Sequence, residues 1–250
     1  MFKSIVLSAC FAGLCAGIVL TLVQQPTVAP ILLAAERYES AAPATDESAA
    51  QSASQNGGAH GHEASAHAHA GAAHEHGDAW APENGLERTF WTLLTNVSAA
   101  IGFALLLCAV YALLPRITLL GGLLWGLAGF VVFFANPSIG LHPEIPGTLS
   151  ADLYDRQLWW LFAALCSAAA VALIAWRRVH WIWGVAAVLL VLPHVVGAPQ
   201  PQVHGGLAPQ ELSQQFIWAT TFVNAVFWLA LGVFSALMFR RFALAPSVAI

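Results

Sequence analysis

Charge is what this sequence has least of. Only 9% of its 250 residues are Asp, Glu, Lys or Arg, while 58% are hydrophobic. A soluble domain is usually about 25% charged and about 45–50% apolar. So little charge excludes an ordinary soluble globule, and the apolar surplus sits in long runs, as membrane helices require. Cysteine is scarce too. Cys10, Cys15, Cys108 and Cys166 all lie in apolar runs and form no C-x-x-C pair. That excludes a zinc ribbon and a disulfide framework, and predicts four buried small hydrophobes. No G-x-x-x-x-G-K-[ST] motif, Ser/His/Asp set or H-E-x-x-H motif is present, so the chain carries no P-loop of its own and no enzyme is indicated. A basic patch for nucleic acid is also missing. No carboxylate falls within an apolar segment, which argues against a proton relay through buried acids.

What is present is six apolar segments, at roughly 4–24, 90–114, 117–136, 158–176, 181–197 and 216–239. About 20 residues span the hydrocarbon core as a helix, and helices satisfy every backbone polar group internally. The expected fold is therefore an all-α integral membrane protein, a bundle of about six transmembrane helices, with five as the alternative because 181–197 is short and contains Pro193 and His194. The first segment follows Lys3 and runs longer than a signal h-region, so it is read as an uncleaved helix. The organisation expected is a first transmembrane helix in 1–35, a disordered His-rich loop over 36–89, a five-helix membrane bundle over 90–241 and a short tail over 242–250.

Charge placement sets the expected topology. With the N-terminus in the cytoplasm, Lys3, Arg116, Arg177, Arg178, Arg240 and Arg241 fall inside, and Arg37, Arg88 and Arg156 outside. Six of nine cations inside agrees with the positive-inside rule. All thirteen acids fall in the three segments assigned outside, 25–89, 137–157 and 198–215. An anionic outer face attracts cations and raises their local concentration.

The stretch from Glu36 to Glu87 is rich in Ala, Ser, Gly, His and acids and nearly free of aromatics, too polar to bury a core. It contains "HGHEASAHAHAGAAHEH", in which His60/His62, His67/His69 and His74/His76 form three His-x-His pairs seven residues apart. In an extended chain residues i and i+2 share a side, so each pair offers two imidazoles to one ion. Neutral imidazole binds divalent transition metals as a class, and Glu63, Glu75 and Asp78 add carboxylates. The pattern predicts metal capture. It leaves the metal's identity open.

A tether concentrates ions without moving them, so a transport site is expected among the helices. His194, beside Pro193 near the end of the fifth segment, is the first candidate, because Pro removes a helix hydrogen bond and frees backbone carbonyls. His142 and His204 in the other outer loops are candidates to converge on it. Glu36 and Glu39, and Glu144 in "HPEIPG", are candidates to hand an ion from the tether to the bundle. The outer loops 136–157 and 197–215, dense in Pro and Gly, read as shaped loops, with Ser150 the expected cap of the following helix. Asn96, Asn136 and Asn224 are expected to bond between helices, and glycines 121, 122, 126 and 129 to mark close helix packing.

Several pieces together, "GIVLTLVQQPTVAPILLAAERYE", "NPSIGLHPEIPG", "ADLYDRQLWW", "LPHVVGAPQP" and "FWLALG", resemble the CbtA-type cobalt transporter subunits over most of the chain. The resemblance implies a bacterial inner-membrane protein that imports cobalt for cobalamin synthesis, with a small CbtB-type subunit of one helix and a histidine-bearing tail as partner. Residues that match the family pattern are Glu36, Tyr38, Glu39, Pro143, Glu144, Pro146, Gly147, Arg156, Gln157, Pro193, His194, Gly197 and Pro199. The family often has proline where this chain has His142. The expected function is thus a subunit of a divalent-metal uptake system, with cobalt first and nickel or zinc as alternatives for the substrate. An exporter, and a membrane-anchored metal sensor or buffer, are the rival readings.

Overall fold

A computed structural model describes residues 2–41, 82–176, 179–203 and 205–243. The protein is an all-α membrane protein. Its helices are α1 (Phe2–Thr27), α2 (Ala29–Ala41), α3 (Leu86–Ala112), α4 (Leu119–Gly140), α5 (Leu153–Trp176), α6 (Trp181–Val196) and α7 (Gln210–Phe242). Helices α1, α3, α4, α5 and α7, of 22 to 33 residues, are each long and apolar enough to cross a bilayer. Six apolar helices thus stand where six apolar segments were expected. The fifth segment forms α6, whose 16 residues reach only about 24 Å at 1.5 Å per residue. That is short of the roughly 30 Å hydrocarbon core.

Small residues let the first helices meet backbone to backbone. One face of α1 carries Ala9, Ala12, Gly13, Ala16 and Gly17, all buried. A Cβ on Gly13 would lie 2.5 Å from the Ile101 Cα of α3, and one on Gly17 would lie 2.6 Å from the Val97 Cα. The same device joins α4 to α7. A Cβ on Gly122 would lie 2.4 Å from Ala236 Cβ, and one on Gly126 would lie 2.4 Å from the Trp228 carbonyl oxygen. Gly129 gives room to the Trp228 ring. Without a hydrophobic drive between helices in lipid, such close approach is a main source of association. Gly121 takes no part in this seam, because its Cβ would meet only Ile117 and Thr118, which lead into its own helix. Phe103, Phe133 and Trp228 fill the space beside the seam, with Phe133 and Trp228 stacked at 5.5 Å between ring centroids.

The contacts fix which helix ends lie together. Ser8 of α1 donates to the Met238 carbonyl near the end of α7 at 3.2 Å, and Tyr111 of α3 meets Phe239 at 5.8 Å. Lys3, Arg116, Arg240 and Arg241 therefore mark one end of the bundle. The opposite end holds Glu36, Glu39, Glu83, Glu87, Glu144, Asp152, Asp155 and Glu211 among the described residues, together with Arg37, Arg88 and Arg156. The charge segregation read from the sequence is thus a segregation between the two ends of the fold.

At the acid-bearing end the chain turns after Pro26 through buried Val28 into α2. Val28 and Ala35 pack with Ile145, Phe216 and Val223, so α2 is fastened across α7 and the 141–152 loop. That loop is held to the one before α7: Leu149 N–H donates to the Gly205 carbonyl at 3.0 Å, and Leu207 N–H to the Gly147 carbonyl at 3.1 Å. Gly147 sits at φ +77, where a side chain would be strained. The shaped-loop expectation agrees with this pairing. The helix cap differs from expectation: Asp152 Oδ1 accepts from the Tyr154 N–H at 2.9 Å, while Ser150 donates to Glu144. An Asp adjoining the first turn adds its charge to the cap, so it displaces a serine two residues earlier. The cysteines also divide. Cys108 and Cys166 are buried, but Cys10 lies exposed on α1 and Cys15 is half-buried, because the face of α1 that packs is the Ala/Gly face.

Candidate functional site

Helix α4 is not uniform. After Phe130 it opens into a π-helical turn, Val131–Ala135, and the N–H of Asn136 reaches back five residues to the Val131 carbonyl. Pro137, fully buried, follows at once and has no N–H to continue an α ladder. The wider turn accommodates that missing donor; such turns recur at functional sites. It also rotates Asn136 into the bundle, where it is 6% exposed.

Asn136 is the centre of a polar chain joining three helices. Its Nδ2 donates to Ser167 Oγ of α5 at 2.8 Å, and Ser167 donates to the Ala163 carbonyl at 2.7 Å. His194 Nε2 of α6 lies 3.1 Å from Asn136 Oδ1. Trp159 of α5 sets its ring edge-on to the imidazole at 5.8 Å, and its Nε1 donates to the Pro193 carbonyl at 3.2 Å. Room for Trp159 comes from Gly140, whose Cβ would fall 2.2 Å from the indole. His194 is half-buried. The Pro193 oxygen itself is doubly engaged, since it also accepts the N–H of Gly197 at 3.1 Å. Proline deprives the carbonyl one turn earlier of its donor and leaves its own untouched.

The other predicted residues lie at the same end, nearer the surface. Glu36 on α2 is gripped at both oxygens by Arg88 of α3, with Nη1 to Oε2 at 2.9 Å and a closer contact from Nη2 to Oε1. Hydrogen bonding to that guanidinium, with its charge, holds the Glu36 carboxyl below its ordinary value despite partial burial. Glu39, one turn further along α2, is exposed. Beside the pair a cleft of about 250 Å³ is lined by Gln24, Gln25, Asn84, Arg88, Thr89 and Thr92 among others. Below it Asn96 donates to Gln24 Oε1 at 2.8 Å and to Thr21 Oγ1 at 3.0 Å, the expected interhelical bond. Asn224 differs: it bonds the Thr220 carbonyl of its own helix at 2.9 Å, one turn back, within reach of its short side chain.

Glu144 is bound by Arg156 Nη2 at 2.7 Å. His142 is exposed and lines a groove of about 270 Å³ with Arg156, Gln157 and Trp160. Among the described residues no three His, Cys, Asp or Glu side chains come together as a metal site. His60, His62, His67, His69, His74, His76 and His204 lie outside the described residues. A cleft of about 550 Å³ between α3, α4 and α5 is lined by residues such as Leu106, Val110, Trp125, Ala168 and Val171. It offers an ion no ligand.

Ser167, Trp159 and Arg88 were missed as site residues. Each looks ordinary in sequence: a serine in an alanine-rich helix, one tryptophan among ten, an arginine at a helix start. Their roles come from partners 31, 34 and 52 positions away.

A bundle of long apolar helices, with charge sorted to its two ends and a hydrogen-bonded histidine within it, defines a multi-pass membrane protein. Residues 2–240 match the family described as "Probable cobalt transporter subunit (CbtA)". The chain belongs to the CbtA family. No curated protein and no solved structure matches it significantly.

Proposed function

We propose that this chain is the membrane-spanning subunit of a cobalt uptake system, with the acid-bearing end outside the cell, both termini in the cytoplasm, and the inner membrane of a bacterium as its site. The observation that carries this reading is His194. In a family of cobalt transporter subunits, an imidazole sits inside the bundle at the anionic end, oriented by hydrogen bonds rather than left to solvent. Ionisable residues at such positions belong to ion pathways by default.

The steps follow from donor chemistry. The pairs His60/His62, His67/His69 and His74/His76 capture the ion. Glu39 receives it. An ion that engages Glu36 must displace Arg88, so this carboxylate releases its cargo as readily as the guanidinium returns. Glu144 and His142 border the way to His194, and His204 is a further donor for the ion. There the ion keeps water or takes ligands from a partner, a small CbtB-type subunit bearing histidines. Passage is driven by an ion gradient or gated by that partner. The substrate is cobalt, with nickel and zinc as the competing divalent ions.

The test is cellular cobalt by mass spectrometry, at nanomolar external cobalt, in cells lacking other cobalt importers. The chain is expressed with and without a CbtB-type partner. Cobalt rising with the wild type and not with His194→Ala supports import through His194. Cobalt unchanged or lowered overturns it in favour of a sensor or an exporter.

A further inference from the structure

The hydrogen bonds around His194 specify where its proton sits. We propose that Asn136 is a positioning residue that holds the imidazole as its Nε2–H tautomer and so reserves Nδ1, with its lone pair, for the ion. This rests on the reading of His194 as a ligand.

The argument is a proton inventory. A serine hydroxyl has one proton. That of Ser167, fully buried, goes to the Ala163 carbonyl at 2.7 Å, so towards Asn136 the serine oxygen can only accept. The Asn136 group facing it at 2.8 Å is therefore the NH2. This orients the amide with its carbonyl oxygen towards His194, 3.1 Å from Nε2. A carbonyl oxygen has no proton to give, so Nε2 carries the hydrogen. A neutral imidazole has one N–H, which leaves Nδ1 unprotonated. The opposite amide orientation would require Ser167 to abandon Ala163 and would place the hydrogen on Nδ1, with Nε2 bonded to the amide and unable to ligate.

The chain is rigid at both ends. The π turn and buried Pro137 fix the backbone of Asn136, and Trp159 braces His194 by its ring edge and by its bond to the Pro193 carbonyl. Donation from the remote ring nitrogen to an oxygen acceptor raises the basicity of the ligating one. Removing such an acceptor typically lowers metal affinity about 10- to 100-fold.

The full chain, labelled with ¹⁵N-histidine and reconstituted in lipid nanodiscs, would be examined by solid-state NMR, with His194→Ala used to assign the signal. The expected result is a protonated Nε2 and an unprotonated Nδ1, with added Zn²⁺ as a diamagnetic probe shifting the Nδ1 resonance. Asn136→Leu should mix the tautomers and raise half-saturating cobalt for uptake about 10- to 100-fold. Asn136→Asp, which keeps an acceptor for Nε2–H, should preserve the tautomer. A hydrogen on Nδ1 in the wild type overturns the proposal, and this readout needs no variant of Asn136 to fold. An Nε2–H tautomer whose Nδ1 resonance ignores Zn²⁺, with uptake unaffected by His194→Ala, instead overturns the reading of His194 as a ligand.

Discussion

Glu36 of α2 and Arg88 of α3 clasp one another at two points across 52 positions of sequence, and the whole run from His60 to His76 lies between them in the chain. The pair joins the two ends of the segment that carries the clustered imidazoles. Beside the pair opens the cleft lined by Gln24, Gln25, Thr89 and Thr92.

This pair has a defined response to acid. The Glu36 carboxyl is held below its ordinary value in the folded protein, so the contribution of the pair is present at neutral pH. It begins to decline as pH falls through the usual glutamate range and is gone once pH has fallen through the lowered value. Arg88→Gln should return the carboxyl towards the ordinary range, read as the midpoint of a ¹³C NMR titration of Glu36. Both side chains are about one-third exposed, at 34% each, so the cost in stability should stay below about 1 kcal/mol. A midpoint unmoved by Arg88→Gln would show that the contact is not what holds the carboxyl down.

Deleting 60–76 separates capture from passage. The deletion should raise the cobalt concentration for half-maximal uptake, on the order of tenfold for loss of a tethered binding segment, while the maximal rate holds. Radiolabelled cobalt uptake against concentration gives both numbers. A collapse of the maximal rate would assign the segment to the transport step itself.

Histidine ligation competes with protons. An imidazole of ordinary pKa, about 6.5, falls from roughly nine-tenths neutral at pH 7.5 to roughly one-tenth at pH 5.5. Uptake at limiting cobalt should fall about tenfold over that interval for each such imidazole that controls binding. The check is initial uptake rate at fixed membrane potential. A flat profile would remove histidine from the mechanism.

The glycine seam between α4 and α7 should resist enlargement. In Gly126→Ala the new Cβ would lie 2.4 Å from the Trp228 backbone oxygen, which no rotamer change relieves. We expect a loss of about 1–3 kcal/mol, read as earlier thermal unfolding in detergent. Gly102→Ala on α3, where a Cβ would meet nothing within 4 Å, should unfold within a few degrees of the wild type. Equal loss in both would mean that the seam adds nothing beyond helix propensity.

Long apolar runs made the spanning helices legible, because lipid demands about 20 such residues whatever they pack against. Sorting of charge between the ends was legible for the same reason. Helix α2 was not. It follows Pro26 and carries Pro30 in its first turn, it is short, and its apolar face becomes worth burying only once Ile145 of the 141–152 loop and Phe216 of α7 arrive. His194 could be singled out as a lone imidazole in an apolar segment, and Asn136 as a polar residue at a helix end. That they meet depends on the rotation the π turn gives α4, which no periodicity in "VVFFANPSIG" announces. Asn224 shows the converse. An asparagine in an apolar helix invites a partner across the bundle, yet its own backbone serves it.

The shortness of α6 bears on the lipid as well as on the protein. Its 16 residues cannot match a full hydrocarbon slab, while α5, its antiparallel neighbour, has 24. The bilayer around α6 must pinch inwards, or headgroups and water must follow the helix end down, at a cost of fractions of a kcal/mol per ångström. His194 lies in the last turn of that helix. With α6 across the bilayer, the dielectric barrier would be thinnest beside His194, and on the proposed route an ion at that imidazole would have the least distance left to travel without its shell of water.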